Sequence, residues 1–428
     1  MNKKQRILII TFCIPWPVAD GGKMYVHTSV NYLRHYYDIT LVMSVYNQAD
    51  LDNVAKLKAM WPDVKIELVS YIKKLGTKER WKKKIRDFYY DNFSKRAAAA
   101  ESHVFFNLRK KINNIFLLSP NFLQKCEQLF ANNVFDIVQV EYSTNIASIN
   151  FIPKGPLKLY VEIESLYSIM EDFMAVSSDV SFTNRYLVTA AKNIELDFMR
   201  RYDGIFALNE SDRQRLTRLV PGQKVLVSPY AVMDAHFSQP EKLANWKPEK
   251  MIFIGSENHY PNKDAVEWFV NDILPLVENN RLTLYITGAW SDGFKAKMRG
   301  VKNLIFSGFI DDLSELMTDS IMIVPIRLGG GGIRAKVIQA MAFGIPIIST
   351  PLGCSGIAPA DDQTILTRND ARGFAEAVML LSKEREVGAS LIQAAYKTAR
   401  ENYAEDVAGT VRHRFYQQLL RESEMDNE

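Results

Sequence analysis

Short apolar runs, separated by polar and helix-like stretches, recur along the whole chain. They are "RILIITF", "DITLVMS", "VKIELVS", "FDIVQVEY", "LKLYVEI", "GIFALNE" and "KVLVSPY" in the first half, and "MIFIG", "LTLYITG", "NLIFSGF", "SIMIVPI" and "IPIIST" in the second. Runs that are apolar throughout predict strands buried on both faces of a sheet. Segments with helical spacing, such as "RGFAEAVMLLSKE", lie between them. This alternation predicts parallel sheets with right-handed crossovers.

The alternation occurs twice, with the polar, proline-containing segment "SQPEKLANWKPEK" between the two halves. The sequence therefore predicts an α/β protein with two Rossmann-like, doubly wound domains that face each other across a cleft. We place the domains at residues 1–232 and 233–402, and expect a C-terminal helix over 403–428 to pack back on the first domain. Ligands of such sheets bind at the carboxyl ends of the strands, so the cleft is the expected site.

Composition restricts the class of protein. The chain has 428 residues, too many for one typical core, and its 47% hydrophobic and 24% charged residues are typical of a globular protein. The cysteines Cys13, Cys126 and Cys354 show no metal-ligand spacing, which argues against disulfides or structural zinc and favours a reducing compartment. The apolar run near the N-terminus is short and interrupted by Pro15 and Pro17, so we interpret it as a buried strand. We expect a cytoplasmic protein.

The stretch "PIRLGGGGIRAKVIQAMAFGIPIIST", residues 325–350, is the strongest candidate for a binding site. It predicts a strand, a glycine loop and a helix over 333–343. Glycines at a helix start let an anion approach several backbone N–H groups, and Arg334 and Lys336 in the first turn would add positive charge. Gln339 shares a helix face with Lys336 and could bind a sugar hydroxyl. The alternative is a flexible connector with solvated cations, but cations at a helix N-terminus are unfavourable without an anion.

Other nucleotide-binding patterns have no support. The chain contains neither G-x-G-x-x-G nor G-x-x-x-x-G-K-[ST], the patterns typical of dinucleotide and P-loop phosphate sites.

The segment "IVPIRLGGGGIRAKVIQAMAFGIPIISTPLGCSGI" resembles the donor-binding segment of retaining family 4 glycosyltransferases with the GT-B fold, in the branch with a glycine-rich loop and R-x-K. "FIGSENHYPNKDAVEWF", "NLIFSGFIDDLSELM", "GIFALNESDRQRL" and "KVLVSPYAVMDAHF" are similar to other elements of that family. The resemblance implies a GT-B enzyme that moves a sugar from a nucleotide-sugar to a glycan or a polyprenyl-diphosphate-linked glycan, in bacterial surface polysaccharide synthesis such as that of lipopolysaccharide or capsule.

The resemblance also implies roles for single residues. The donor diphosphate would bind the glycine loop, including Gly331 and Gly332, together with Arg334 and Lys336, and the positive charge would stabilise the leaving group. The remaining donor-side residues would be Gly21, Gly22, Ser256, Phe309 and Ile310, with the nucleobase against the backbone of the last two. These cations would make a metal or other cofactor unnecessary. Glu164, after "LYVEI", is the best-placed acceptor base, with Glu162 nearby, although a strand-end charge without a catalytic role is the alternative.

Two departures from the family pattern leave other functions open. Gly331 and Gln339 stand where the family commonly has glutamates, and Gln339 lacks the charge-assisted binding that a carboxylate offers to ribose hydroxyls. A nucleotide-sugar-binding or partner subunit without catalysis is therefore one alternative. A GT-B nucleotide-sugar epimerase is another.

A basic segment, about 73–120, lies outside this resemblance. Residues 73–111 carry thirteen Lys or Arg and four Asp or Glu, a net charge of +9 against +4 for the whole chain, which leaves −5 elsewhere. Within it Trp81, Ile85 and Phe88 have helical spacing, surrounded by cations such as Lys82, Lys83 and Lys84. This pattern is typical of a helix on an anionic membrane surface, which would make the protein peripheral on the inner face of the membrane. A helix that packs on the first domain is the alternative. No nucleic-acid module is visible.

Overall fold

The computed structural model describes residues 4–18, 20–72, 117–176, 181–238, 245–277, 281–310, 312–329, 332–357 and 361–425. Within these ranges the chain forms two parallel sheets of seven and six strands. We call the part that carries the seven-stranded sheet the first domain and the part that carries the six-stranded sheet the second domain.

The first sheet has the strand order β3-β2-β1-β4-β5-β6-β7, so the chain winds outward from β1 in both directions. Its strands are β1 Arg6–Ile10, β2 Asp38–Val45, β3 Lys65–Ser70, β4 Ile137–Glu141, β5 Leu157–Glu162, β6 Gly204–Ala207 and β7 Val225–Val227. Every residue of β4 and β6 is buried, and so are Ile7 to Ile10 of β1. Burial on both faces explains why Ile7 to Ile10 and β6 are apolar throughout, whereas β4 carries two buried polar residues, Gln139 and Glu141.

The second sheet has the order β10-β9-β8-β11-β12-β13. Its strands are β8 Lys250–Ile254, β9 Thr283–Thr287, β10 Leu304–Gly308, β11 Ser320–Val324, β12 Ile347–Ser349 and β13 Leu366–Thr367. Each of the twelve apolar runs of the sequence overlaps one of the strands, and the predicted fold class is confirmed. Strand β13 is missed by the sequence interpretation because two residues show no periodicity.

α-Helices cover both sheets, besides short 3₁₀ and π segments. In the described ranges they are α1 Gly21–Leu33, α2 Gln48–Met60, α3 Pro120–Asn132, α4 Leu166–Val176, α5 Phe182–Met199, α6 Glu210–Leu219, α7 Tyr260–Trp268, α8 Asp292–Lys297, α9 Ser314–Met317, α10 Ala335–Phe343, α11 Ala371–Lys383, α12 Arg385–Tyr403 and α13 Glu405–Met425. No helix in the described part of the chain is long and apolar enough to span a bilayer. The three cysteines are all buried and unpaired.

The last helix, α13, packs against the first domain and contributes polar side chains to its interior. Arg412 is 3% exposed; its Nε donates to Ser228 Oγ at 2.8 Å and its Nη1 donates to Ser29 Oγ. The hydroxyl of the buried Tyr416 donates to Gln139 Oε1 on β4. Because these donors satisfy buried acceptors, α13 completes the polar interior of the first domain.

Candidate functional site

The glycine loop after β11 lies where the sequence predicts, but its helix begins later. Helix α10 starts at Ala335 and not at residue 333, so Arg334 is the N-cap residue and lies outside the first turn. Gly329 and Gly332 have φ angles of +88° and +69°, in the left-handed region that favours glycine. Arg334 bends back along the loop, and its Nη2 donates to Gly329 O at 2.8 Å. Gly331 lies outside the described residues.

Arg334 and Lys336 form a cationic pair in a partly buried place. Burial lowers the pKa of Arg334 from its ordinary value, and three carboxylates of the first domain act in the opposite direction: Glu164, Asp172 and Asp212. Burial, followed by the charge of Arg334, lowers the pKa of Lys336 to about 7. Negative charge stabilises two neighbouring cations of this kind, and the three carboxylates of the first domain supply it at Arg334.

Lys336 is held in place by two groups of the second domain. Its Nζ donates to Asn262 Oδ1 at 3.0 Å and lies 4.5 Å from the centre of the Phe253 ring. Asn262 stands on α7, and its own amide donates to Ser256 O at 3.1 Å. The loop after β8 is therefore linked to Lys336 through one side chain. Gln339 is half-buried one turn further along α10.

Gly21 and Gly22 begin α1, and protein atoms lie directly beside both of them. A Cβ built on Gly21 would lie 2.7 Å from Cβ of Ala335, across the cleft in the second domain. A Cβ built on Gly22 would lie 2.1 Å from Oη of Tyr142. Tyr142 is itself unusual, because it has a φ of +67° without being a glycine. Close packing is thus a reason for glycine at both positions that the sequence interpretation, based on approach of a ligand, does not include.

The two candidate carboxylates after β5 have different environments. Glu162 is 3% exposed and accepts from Arg215 Nη2 at 2.7 Å, while burial raises its pKa. Glu164 is exposed and acts electrostatically on Arg334. An acceptor base has to reach the cleft, and a carboxylate committed to a buried ion pair is poorly suited to that task. Glu164 is the better placed of the two.

A pocket of about 860 Å³, lined by residues of the second domain, lies at the carboxyl ends of β9 and β10. Its lining includes Tyr260, Gly288, Gly308 and Phe309. Tyr260 and Phe309 are 42% and 61% exposed, so both rings can contact a planar ligand group. Ile310, which follows Phe309, is half-buried.

Ser256 lies beside this pocket and precedes Glu257, which is one of the lining residues. Its hydroxyl accepts from Ala289 N at 3.2 Å, so in this structure it supports the loop after β9. The structure therefore brings one group of predicted donor residues around Lys336 and a second group around the pocket at Phe309.

Some residues of the site are absent from the sequence interpretation. Asn209 and Asp212 at the start of α6 contact Gly332, and Asn262 contacts Lys336. The spacing of Asn209 and Asp212 is that of a helix N-cap, which the structure shows: Asn209 Oδ1 accepts from Asp212 N at 2.8 Å. That spacing locates the helix start without indicating what it faces. For Asn262 we find no signal in the sequence.

One further prediction concerns residues that the structure does not describe. The basic segment with Trp81, Lys82, Lys83, Lys84, Ile85 and Phe88 lies outside the described residues. Within the described ranges, no cluster of three or more His, Cys, Asp or Glu side chains could hold a metal ion.

Comparison with known proteins identifies a family for part of the chain. Residues 248–384 match the family "Glycosyl transferases group 1". A protein of the cps region of Klebsiella pneumoniae, of 44.6 kDa, is 23% identical over 163 residues, which cover 36% of this chain and 42% of that protein. The chain thus spans about two fifths of the length of this curated relative.

Solved structures resemble the whole chain. Sucrose-phosphate synthase from Thermosynechococcus elongatus superposes with a TM-score of 0.68 at 12% identity, covering 98% of this chain and 100% of that one. TarM gives 0.67 at 11% identity over 98% and 99% of the two chains. Anabaena Alr3699/HepE in complex with UDP and glucose gives 0.60 at 10% over 96% and 99%. At such identities the likeness shows the fold alone. The chain has the GT-B fold, and its second domain carries the match to the Glycosyl transferases group 1 family, which supports a glycosyltransferase.

Proposed function

We propose that this protein is a retaining glycosyltransferase that moves a sugar from a nucleotide-sugar to a glycan or lipid-linked glycan in bacterial surface polysaccharide synthesis. The observation that carries the proposal is the pairing of Arg334 and Lys336 at the start of α10, between the two domains. The match of residues 248–384 supports it. The UDP and glucose named for Alr3699/HepE support a nucleotide-sugar donor, and the cps-region relative supports a polysaccharide pathway.

The chemistry requires positive charge where the leaving diphosphate develops negative charge. Arg334 and Lys336 supply two full charges, and the N-terminus of α10 adds the partial charge of its dipole. In the proposed reaction the bond from the anomeric carbon to the diphosphate loosens first. The acceptor hydroxyl then attacks on the same face of the sugar, which retains the configuration. Glu164, exposed near Arg334, would take the hydroxyl proton.

The test is release of nucleoside diphosphate from a panel of nucleotide-sugars, with and without a short glycan acceptor. Arg334→Ala and Lys336→Ala should each lower turnover by roughly 10²–10³-fold, because each removes charge from the leaving group. Arg327→Ala is the matched control. Its guanidinium already pairs with Asp264 at 2.8 Å, so turnover should stay near that of the wild type. Wild-type turnover in both Arg334 and Lys336 variants would refute the assignment.

The same incubation separates the alternatives. Retention of the anomeric configuration, read by NMR of the product, supports this mechanism, whereas inversion contradicts it. A nucleotide-sugar whose own sugar has been epimerised would indicate an epimerase. Binding of donor without any turnover would indicate a non-catalytic subunit, the alternative raised by Gln339. Activity should also survive a metal chelator, because the two cations neutralise the diphosphate without a divalent ion.

A further inference from the structure

The start of α6 in the first domain holds the glycine loop of the second domain. Asp212 Oδ2 accepts a hydrogen bond from Gly332 N at 3.0 Å, and Asn209 Nδ2 donates to Gly332 O at 3.5 Å. Both backbone polar groups of Gly332 are therefore bound by side chains from the opposite domain.

This contact is closely fitted. A Cβ built on Gly332 would lie 3.3 Å from Ile163 O, and the φ of +69° already disfavours other residues. The next glycine that reaches α6 is Gly356, where a Cβ would lie 2.8 Å from Cγ of Asn209. The glycine loop at Gly332 and the segment after β12 at Gly356 thus both pack against the first domain.

The Asp212 carboxylate belongs to a buried group of charges. Asp212 and Glu162 are 4% and 3% exposed, and Arg215 Nη2 reaches them at 3.3 Å and 2.7 Å. Two carboxylates and one guanidinium leave one negative charge, and Asp212 Oδ2 accepts from Asn209 Nδ2 at 2.7 Å as well as from Gly332 N. The negative charge of Asp212 also acts on Arg334.

We propose that Asp212 is an internal competitor for the anion site of the glycine loop. One N–H cannot donate a full hydrogen bond to a carboxylate and to a phosphate at once. In addition, a diphosphate beside Asp212 would meet a like charge. A bound diphosphate must therefore displace Asp212 from Gly332, and rebinding of Asp212 helps to expel the nucleoside diphosphate after transfer. The inference rests on the proposed donor site and concerns its affinity, not the reaction.

Inorganic pyrophosphate is the probe, because it tests the site without knowledge of the nucleobase. Asp212→Asn removes the charge but keeps the backbone N–H that Asn209 caps. This variant should bind pyrophosphate roughly 10- to 100-fold more tightly by titration calorimetry, the range that corresponds to one hydrogen bond to a charged group. Asp212→Ser should shift the affinity in the same direction and serves if the asparagine variant does not fold. Asp197→Asn on the exposed face of α5 is the control for net charge and should leave the affinity unchanged.

Hydrogen exchange gives an independent readout. In the ligand-free wild type the amide of Gly332 should be protected; in Asp212→Asn it should exchange faster, and pyrophosphate should restore the protection. Equal or weaker pyrophosphate binding by a folded Asp212 variant would overturn the inference, because it would make Asp212 a support of the loop. The inference would also be overturned if neither the wild type nor the Asp212 variant bound pyrophosphate. If the affinity for pyrophosphate rises in the variant but no nucleotide-sugar is turned over, the role of Asp212 is supported and the proposed function is contradicted.

Discussion

Gly21 and Ala335 are the first residues of two helices from different domains, and they face each other so closely that a Cβ on Gly21 would lie 2.7 Å from Cβ of Ala335. Each helix presents the positive end of its dipole at this point. Two positive ends in contact repel, and an anion between or beside them reverses the sign of that interaction. The meeting of α1 and α10 therefore adds to the charge of Arg334 and Lys336.

The first prediction concerns this contact. Gly21→Ala should force the two helix starts apart and weaken binding of nucleoside diphosphate by about tenfold, about 1.4 kcal/mol. The measurement is titration calorimetry with the nucleotide that the wild type binds best. Gly293→Ala in α8 is the matched control, because a Cβ at this position would lie 3.8 Å from Ser291 Oγ, which is an ordinary van der Waals contact. Unchanged affinity in Gly21→Ala would show that the cleft does not need this close approach.

The second prediction concerns protonation of Lys336. Its pKa of about 7 means that much of it is neutral at about pH 8 without ligand. A diphosphate favours the charged form, so binding at that pH should take up a proton and should weaken as pH rises further. Calorimetry in two buffers of different ionisation enthalpy measures this uptake. Lys336→Arg should bind without uptake, since arginine stays charged. Binding by the wild type with no proton uptake would contradict the prediction.

The same shift has a consequence for stability. The pKa of Lys336 is depressed from 10.5 to about 7, so between these values the unfolded chain binds more protons than the folded one. The contribution of Lys336 to the free energy of unfolding therefore rises with pH across this window.

The third prediction concerns Gln339. If its amide contacts the ribose of the donor, Gln339→Ala should raise the donor Michaelis constant, while Gln339→Glu should keep or improve donor affinity because a carboxylate accepts stronger hydrogen bonds from hydroxyls. Steady-state kinetics and titration calorimetry check both variants. Donor binding that is the same in Gln339→Ala and the wild type would exclude Gln339 from the site.

The fourth prediction compares two arginines of α6. Arg215→Ala leaves Glu162 buried without its partner and should lower the free energy of unfolding by about 3–5 kcal/mol. The loss should be smaller near pH 5 than near pH 8, because the unpaired carboxyl can then take a proton. Arg213→Ala removes an exposed pair with Glu210 and should barely change the urea midpoint. Equal midpoints for the two variants would mean that the buried pair contributes nothing.

The fifth prediction concerns the basic segment. Replacing Lys82, Lys83 and Lys84 with glutamate should release the protein from anionic liposomes, since each cation near such a surface contributes about 1 kcal/mol. Transfer to a short soluble acceptor should survive and transfer to a lipid-linked acceptor should fall. Co-sedimentation with vesicles at low and high salt is the measurement. If the wild-type protein stays in the supernatant at low salt, the membrane interpretation is wrong. The alternative, a helix that packs on the first domain, then remains.

The sequence predicts the strands well because most of them, such as β1, β2, β6 and β11, are buried on both faces and therefore form short apolar runs. The loop around Gly329 and Gly332 is predictable for a similar reason, since few residues other than glycine tolerate its backbone angles. The start of α10 is misplaced by two residues, because Ile333 continues the apolar register although its backbone is not helical.

Contacts between the domains are much harder to predict. Asp212 and Gly332 are 120 residues apart in the chain, and neither residue type indicates the other. Gly22 shows a related difficulty. A glycine at a helix start is consistent with an approaching ligand and with an approaching side chain, and only the position of Tyr142 distinguishes them.

The last helix has a consequence for how the protein is made. Arg412 and Tyr416 satisfy acceptors in the first domain that belong to α1, β4 and the segment after β7, yet the ribosome adds α13 only after the whole second domain. Domains generally fold as units in the order of synthesis. Here we expect the nascent first domain to remain incompletely folded until α13 emerges, because Gln139 and Ser228 lack the donors Tyr416 and Arg412. Translation that stops before residue 405 should therefore yield a first domain that chaperones retain and proteases remove.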